Sequence, residues 1–105
     1  MNSIEDTIRL NALYDYYKDL LTDKQKDYFE AFYFENMSLS EIAENYSVSR
    51  NAVYSQLNLT IDAIEKYESK LHLLENDKKR SVLYERIKKM DYEDVNKVIQ
   101  ELEEI

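Results

Sequence analysis

Arg50, Asn51, Tyr54, Ser55 and Asn58 share one face of any helix that contains them, because they recur at spacings of one, three and four residues. Guanidinium, amide and hydroxyl groups of this kind can reach base edges in a DNA major groove. Ser49 precedes them in the position of a helix N-cap. Lys24 and Lys26 lie upstream, at the start of the second helix, and could add phosphate contacts. A second set is chemically different. Lys78, Lys79, Arg80, Arg86, Lys88 and Lys89 crowd into thirteen residues, with Tyr84 among them. Ammonium and guanidinium groups around a stackable ring suit RNA phosphate and bases, or an acidic protein partner. The plainer alternatives are a solvated helix face, or neutralisation by the acidic tail that follows.

Catalytic chemistry has little to work with. His72 is the only imidazole, set in Leu71-His72-Leu73-Leu74, and there is no cysteine. No second histidine or thiolate is available to complete a metal site, so no metal and no catalytic residues are expected. Glycine is absent, which excludes glycine-rich phosphate loops, and no cofactor is expected. The carboxylates are scattered over helix surfaces, and no serine sits in a nucleophile motif. The chain reads as a non-enzyme.

The elements that must position these side chains are helical. With neither glycine nor proline, tight hairpins are disfavoured, and Ser, Thr, Asn and Asp punctuate the chain as caps. A first helix is expected from about Ile4 to Leu21, with Ser3 as its cap. Ile4, Ile8, Leu10, Leu13, Tyr14, Tyr17, Leu20 and Leu21 form its apolar stripe. Thr22 and Gln25 form a capping box for a second helix carrying Tyr28, Phe29, Phe32 and Tyr33 inward, and Asn36 is the expected stop. Ser40 is expected to cap a short helix from Glu41 to Asn45 or Tyr46. A turn through Ser47 and Val48 follows, and Ser49 opens the next helix at Arg50. Two helices across a three- or four-residue turn make a helix-turn-helix over about residues 40–58. Ile42, Ala43, Val48, Val53 and Leu57 would hold it together.

Apolar spacing continues without a break through Ile61, Ile64, Tyr67, Leu71 and Leu74. A helix over residues 50–74 would be roughly 38 Å long, longer than a 105-residue globule about 26 Å across. Its far half needs cover from the C-terminal helices or from a second subunit, and a homodimer is slightly preferred. Asn76-Asp77 is expected to break the pattern. A fifth helix should run from about Lys79 to Met90 with Val82, Leu83, Ile87 and Met90 inward. Asp91 should cap a last helix with Tyr92, Val95, Val98, Ile99 and Leu102 on one stripe.

Length and charge fit a single helical domain over residues 1–105, with C-terminal helices over 78–105. The 28 Leu, Ile, Val and Phe residues suffice for a packed core. Net charge is −8, but residues 78–90 carry +5 and residues 91–105 carry −5. No apolar run could span a bilayer and the N-terminus has acids where a signal peptide needs bases, so a cytoplasmic protein without a membrane partner is expected.

The stretches Leu21-Thr22-Asp23-Lys24-Gln25, Leu39-Ser40-Glu41-Ile42-Ala43-Glu44 and Ser47-Val48-Ser49-Arg50-Asn51-Ala52-Val53 resemble sigma factor region four. With Tyr14-Asp15-Tyr16-Tyr17, the chain over roughly residues 5–90 is closer still to the YlxM family. These are small, acidic helix-turn-helix proteins of Gram-positive bacteria whose genes lie beside those of the signal recognition particle protein and its receptor. The resemblance implies an all-α bundle and a regulatory role on DNA, or a role in the signal recognition particle pathway with its RNA or protein as partner. Three features depart from a strong DNA reader. Ser47 stands at the turn position usually held by glycine. Gln56 stands where an aliphatic is usual. Arg50 is the only base in residues 38–65, whereas tight binding rests on many phosphate contacts.

Overall fold

The structure, a computed structural model, describes residues 3–90 and 92–105. Among them there are six α-helices and no strand: α1 (Ile4–Tyr17), α2 (Asp23–Tyr33), α3 (Leu39–Asn45), α4 (Arg50–Leu71), α5 (Leu73–Lys88) and α6 (Glu93–Glu103). A 3-10 turn, Lys18–Leu20, follows α1. The expected all-helical fold with a helix-turn-helix and a long following helix is therefore observed. The chain divides into two compact units, one ending at His72 and one running from Leu73 to Ile105.

Side-chain caps set most helix starts. Ser3 accepts from the Asp6 N–H at 3.1 Å. Thr22 and Gln25 exchange both bonds of a capping box. α3 begins two residues earlier than expected: Ser38, not Ser40, is its cap, and Glu41 closes a second capping box with it. The Ser-x-x-Glu spacing from Ser38 to Glu41 satisfies two orphan N–H groups, which a cap at Ser40 would not. Asn36, Ser47 and His72 take left-handed backbone conformations, with φ of 57°, 55° and 55°. Asn36 is thus a stop, as its residue type suggests.

The first unit packs α1, α2, α3 and α4 around a dense core. Leu13, Tyr17, Phe29, Ile42, Val53 and Ile64 are fully buried. The Tyr14 ring stacks on Phe29 at 4.2 Å between centroids, and its hydroxyl donates to the Glu30 carboxylate. Burial and that carboxylate hold the Tyr14 phenol well above its ordinary range. The Tyr17 hydroxyl donates to Glu68 at 2.6 Å, which gives a buried carboxylate on α4 a partner. Arg9 also pairs with Glu65, tying α1 to α4. Ile4, Ile8 and Leu20, assigned to the inward stripe of the first helix, are exposed instead.

The second unit is a hairpin of α5 and α6. α4 ends at Leu71 and α5 starts at Leu73, so the break falls at His72 rather than at Asn76-Asp77, which lie inside α5. One left-handed residue interrupts the helix while leaving the three-residue spacing of Leu71 and Leu74 intact, so periodicity does not register it. Of the residues placed inward on the fifth helix and on the apolar stripe of the last, Ile99 is buried and Ile87 is half-buried. Val82, Leu83, Met90, Tyr92, Val95, Val98 and Leu102 are exposed. Leu71 is exposed as well, while Leu74 is buried and Tyr67 half-buried. Asp91, expected as the cap of α6, lies outside the described residues.

Candidate nucleic-acid interface

The recognition face is built from the turn outward. At the end of α3, Ser47 adopts the left-handed conformation and donates its N–H to the Glu44 carbonyl at 3.3 Å. The Val48 N–H reaches back to the Ala43 carbonyl at 3.0 Å. This is a Schellman stop, in which two orphan carbonyls gain donors. A residue with a Cβ costs about 1–2 kcal/mol in this conformation relative to glycine. The turn nonetheless closes, because Val48 then drops onto the cluster of Tyr28, Ala31, Ile42, Ala43, Val53 and Leu57. Ser49 follows with extended backbone and accepts from the Ala52 N–H at 3.0 Å. Its hydroxyl is therefore engaged in the cap.

From this cap α4 presents two arcs. Val53, Leu57, Thr60 and Ile64 are buried. Thr60 satisfies its hydroxyl on the Gln56 carbonyl at 2.7 Å, and Gln56 itself is half-buried. On the other arc Arg50, Asn51, Tyr54, Ser55 and Asn58 are all exposed, Tyr54 to 51%. The structure thus brings together five of the six residues read from the helix, with the sixth, Ser49, capping them.

Lys24 and Lys26 lie on α2, outside that arc. The Lys24 ammonium stands 5.7 Å from the centre of the Tyr28 ring. Tyr28 in turn packs edge-on against Tyr46, the last residue of the α3 end, at 5.1 Å. This aromatic bridge from Lys24 to the turn was not visible in the sequence, where Tyr46 carried no periodic signal of its own. Lys26 is half-buried and pairs with Asp23 at 3.5 Å. The surroundings of the turn are negative. The Tyr46 phenol is pushed above its ordinary range by burial and by the Asp27 and Glu35 carboxylates. The Glu41 carboxyl is held below its ordinary range by the Ser38 N–H and hydroxyl.

A hollow of about 200 Å³ lies beside the recognition arc, walled by Phe32, Leu39, Leu57 and Ile61 and bordered by Tyr54 and Asn58. Tyr33 also lines it, and its hydroxyl has no hydrogen-bond partner among the described residues. Burial raises that phenol's pKa. Local spacing carries no sign of this hollow, because its walls come from three helices.

The basic residues of α5 are distributed differently. Lys79 pairs with Glu75 at 3.3 Å. Lys88 pairs with Glu85 at 3.6 Å and with Glu103 of α6 at 2.9 Å. The bond to Glu103 raises the Lys88 pKa. Lys78, Arg80, Arg86 and Lys89 are exposed without an ion pair among the described residues. Tyr84 is half-buried and lines, with Arg80, Ser81 and Glu103, a hollow of about 540 Å³. His72, exposed at the end of α4, serves the backbone as a left-handed stop. No group of three or more potential metal ligands occurs among the described residues, and no helix there is long and apolar enough to cross a membrane.

A capped helix, a closed turn and a second helix with one buried and one polar exposed arc define a helix-turn-helix protein. Comparison with known sequences places it further. The profile of a family described as "putative helix-turn-helix protein, YlxM / p13 like" matches residues 4–105. The chain is 40% identical to UPF0122 protein YlxM of Bacillus subtilis, with 98% of each chain covered. It is 49% identical to a UPF0122 protein of Staphylococcus epidermidis over 83% of this chain and 79% of that one. It is 44% identical to one of Lactococcus lactis subsp. cremoris over 97% and 91%. The chain belongs to this UPF0122, YlxM-like family.

Proposed function

We propose that this protein is a DNA-binding regulator, not an enzyme, acting in the cytoplasm through the N-terminal half of α4. The observation that carries this reading is the exposed arc of Arg50, Asn51, Tyr54, Ser55 and Asn58 on a helix whose opposite arc is locked into the core. A helix held this way can lie in a major groove with its first two turns against base edges. Arg50 supplies two donors for guanine and Asn51 a donor and an acceptor for adenine, while Tyr54, Ser55 and Asn58 reach the following pairs. Lys24 supplies phosphate contact from α2. With so few cations, binding is weak and its salt slope shallow, since each neutralised phosphate contributes a slope of about 0.9.

The test is a titration on duplexes selected from a random pool. Replacing Arg50, Asn51 and Tyr54 by Ala should abolish preference for the selected sequence while leaving weak generic binding. A triple variant that keeps full preference overturns the assignment.

A second reading rests on a separate observation, the exposure of Lys78, Arg80 and Arg86 on α5 and of Lys89 just past its end, with no ion pair among the described residues. It makes the chain an accessory protein that binds signal recognition particle RNA or protein through that helix, the partner implied by the family resemblance. Replacing Lys78, Lys79 and Arg80 by Glu should then lower affinity for that RNA and flatten its salt dependence. If those charge reversals change binding to neither the RNA nor the duplex, the basic helix is a solvated face and the second reading falls.

A further inference from the structure

The hairpin of α5 and α6 buries only Leu74 and Ile99 among its described residues, yet each helix carries an apolar row. Leu83, Ile87 and Met90 follow i, i+4, i+7 spacing at the α5 end of the hairpin. Val95, Val98 and Leu102 follow i, i+3, i+7 spacing on α6. Leu83 is 51% exposed and Val98 55%. Leu83, Arg86, Ile87 and Met90 line an open hollow of about 230 Å³.

Charge runs beside each row, with opposite sign. Lys79 and Arg86, seven residues apart, flank Leu83 one turn away. Asp94 and Glu101, also seven apart, flank Val98. Residues 78–90 carry +5 and residues 91–105 carry −5.

We propose that this hairpin pairs with the hairpin of a second copy of the chain, each basic α5 lying against the acidic α6 of the other. Two helical hairpins joined through their apolar faces make a four-helix arrangement. The occupant is a second copy because the hairpin holds both halves of the match: an apolar row with basic residues beside it and an apolar row with acidic residues beside it. Such a surface is complementary to itself across a two-fold axis. Pairing α5 with α5 or α6 with α6 would instead set like charges opposite each other.

The test is sedimentation equilibrium of the full chain across the micromolar range. The parent should show twice the 12.7 kDa mass of one chain. Val98→Asp combined with Leu102→Asp should sediment as a single chain with unchanged far-ultraviolet circular dichroism, because both side chains are exposed. Arg86→Glu and Glu101→Arg should each weaken association roughly tenfold, with the double exchange restoring it. A parent that stays at the mass of one chain overturns the proposal. So does an undiminished dimer in the Asp variant, or a double exchange no tighter than its single parents. Should the Asp variant lose helicity, the exchange pair, placed on exposed side chains, decides alone.

Discussion

The two units of this chain are made from the same material and reach different ends. Both consist of amphipathic helices joined by short turns. The first buries Leu13, Tyr17, Phe29, Ile42, Val53 and Ile64 completely. The second leaves Val82, Leu83, Met90, Val95, Val98 and Leu102 in solvent. α6 is as cleanly two-faced as any helix in the molecule, yet only Ile99 finds cover. Amphipathic spacing therefore determines that a helix forms, while the number of faces converging on it determines whether its apolar side becomes core. Four helices close around one another in the first unit. Two helices cannot enclose a core, and chains below about 40 residues seldom fold without further support.

The largest expected effect separates the units physically. A fragment of residues 1–72 should keep a cooperative thermal transition, because the buried side chains named above lie within it. A peptide of residues 73–105 should show none at dilutions too low for pairing. Circular dichroism melts of both fragments check this. A dilute hairpin that melts cooperatively would break the comparison.

Next in size are single truncations. Ile42→Ala removes a fully buried side chain from the centre of the helix-turn-helix and should cost about 2–5 kcal/mol. Val82→Ala, at an exposed position of α5, should change stability by less than about 0.5 kcal/mol. Urea denaturation midpoints of the full chain measure both. Equal losses would mean that Val82 is covered in solution.

What the sequence disclosed follows the same division. Where apolar rows meet several partners, spacing alone placed them correctly: Tyr28 and Phe29, Ile42 and Ala43, Val53 and Leu57 are buried as expected. The exposed arc from Arg50 to Asn58 was legible for the same reason, being the complement of a buried one. In α5 and α6 the pattern was just as regular, yet of the residues placed inward on α5 only Ile87 is half-buried and of the α6 stripe only Ile99 is buried, because periodicity reports a face and carries no information about its occupant. The break at His72 was missed because a single left-handed histidine lacks the signature of glycine or proline. The cap of α3 was misplaced at Ser40, although the Ser-x-x-Glu spacing of a capping box, readable in the sequence, runs from Ser38 to Glu41, where the reciprocal bonds form. The Lys24–Tyr28–Tyr46 bridge depends on tertiary packing that no local spacing encodes.

Caps sharpen the contrast at a smaller scale. Ser49→Ala removes the acceptor for the Ala52 N–H at the start of the recognition helix and should cost about 1 kcal/mol. α6 has no side-chain cap, since Tyr92 occupies that position with extended backbone. Tyr92→Ser should therefore stabilise α6 by about 0.5–1 kcal/mol. Thermal melts of the two variants should move in opposite directions.

The smallest effect is titratable and belongs to α3. Glu41 accepts from the Ser38 N–H at 3.1 Å, while its own N–H donates to the Ser38 hydroxyl at 3.0 Å. These bonds favour the ionised carboxylate and hold its pKa below the ordinary value. A carboxyl whose pKa is lower in the folded chain binds its proton more readily when unfolded. Its contribution is thus complete above the unfolded value and fades as pH falls through the folded one. The parent should lose melting temperature more steeply than Glu41→Gln between neutral pH and pH values below the glutamate range. The amide keeps the reciprocal cap at every pH, so the two melting curves should converge towards acid. A constant offset between them over the whole range would show that Glu41 ionisation plays no part in holding the start of α3.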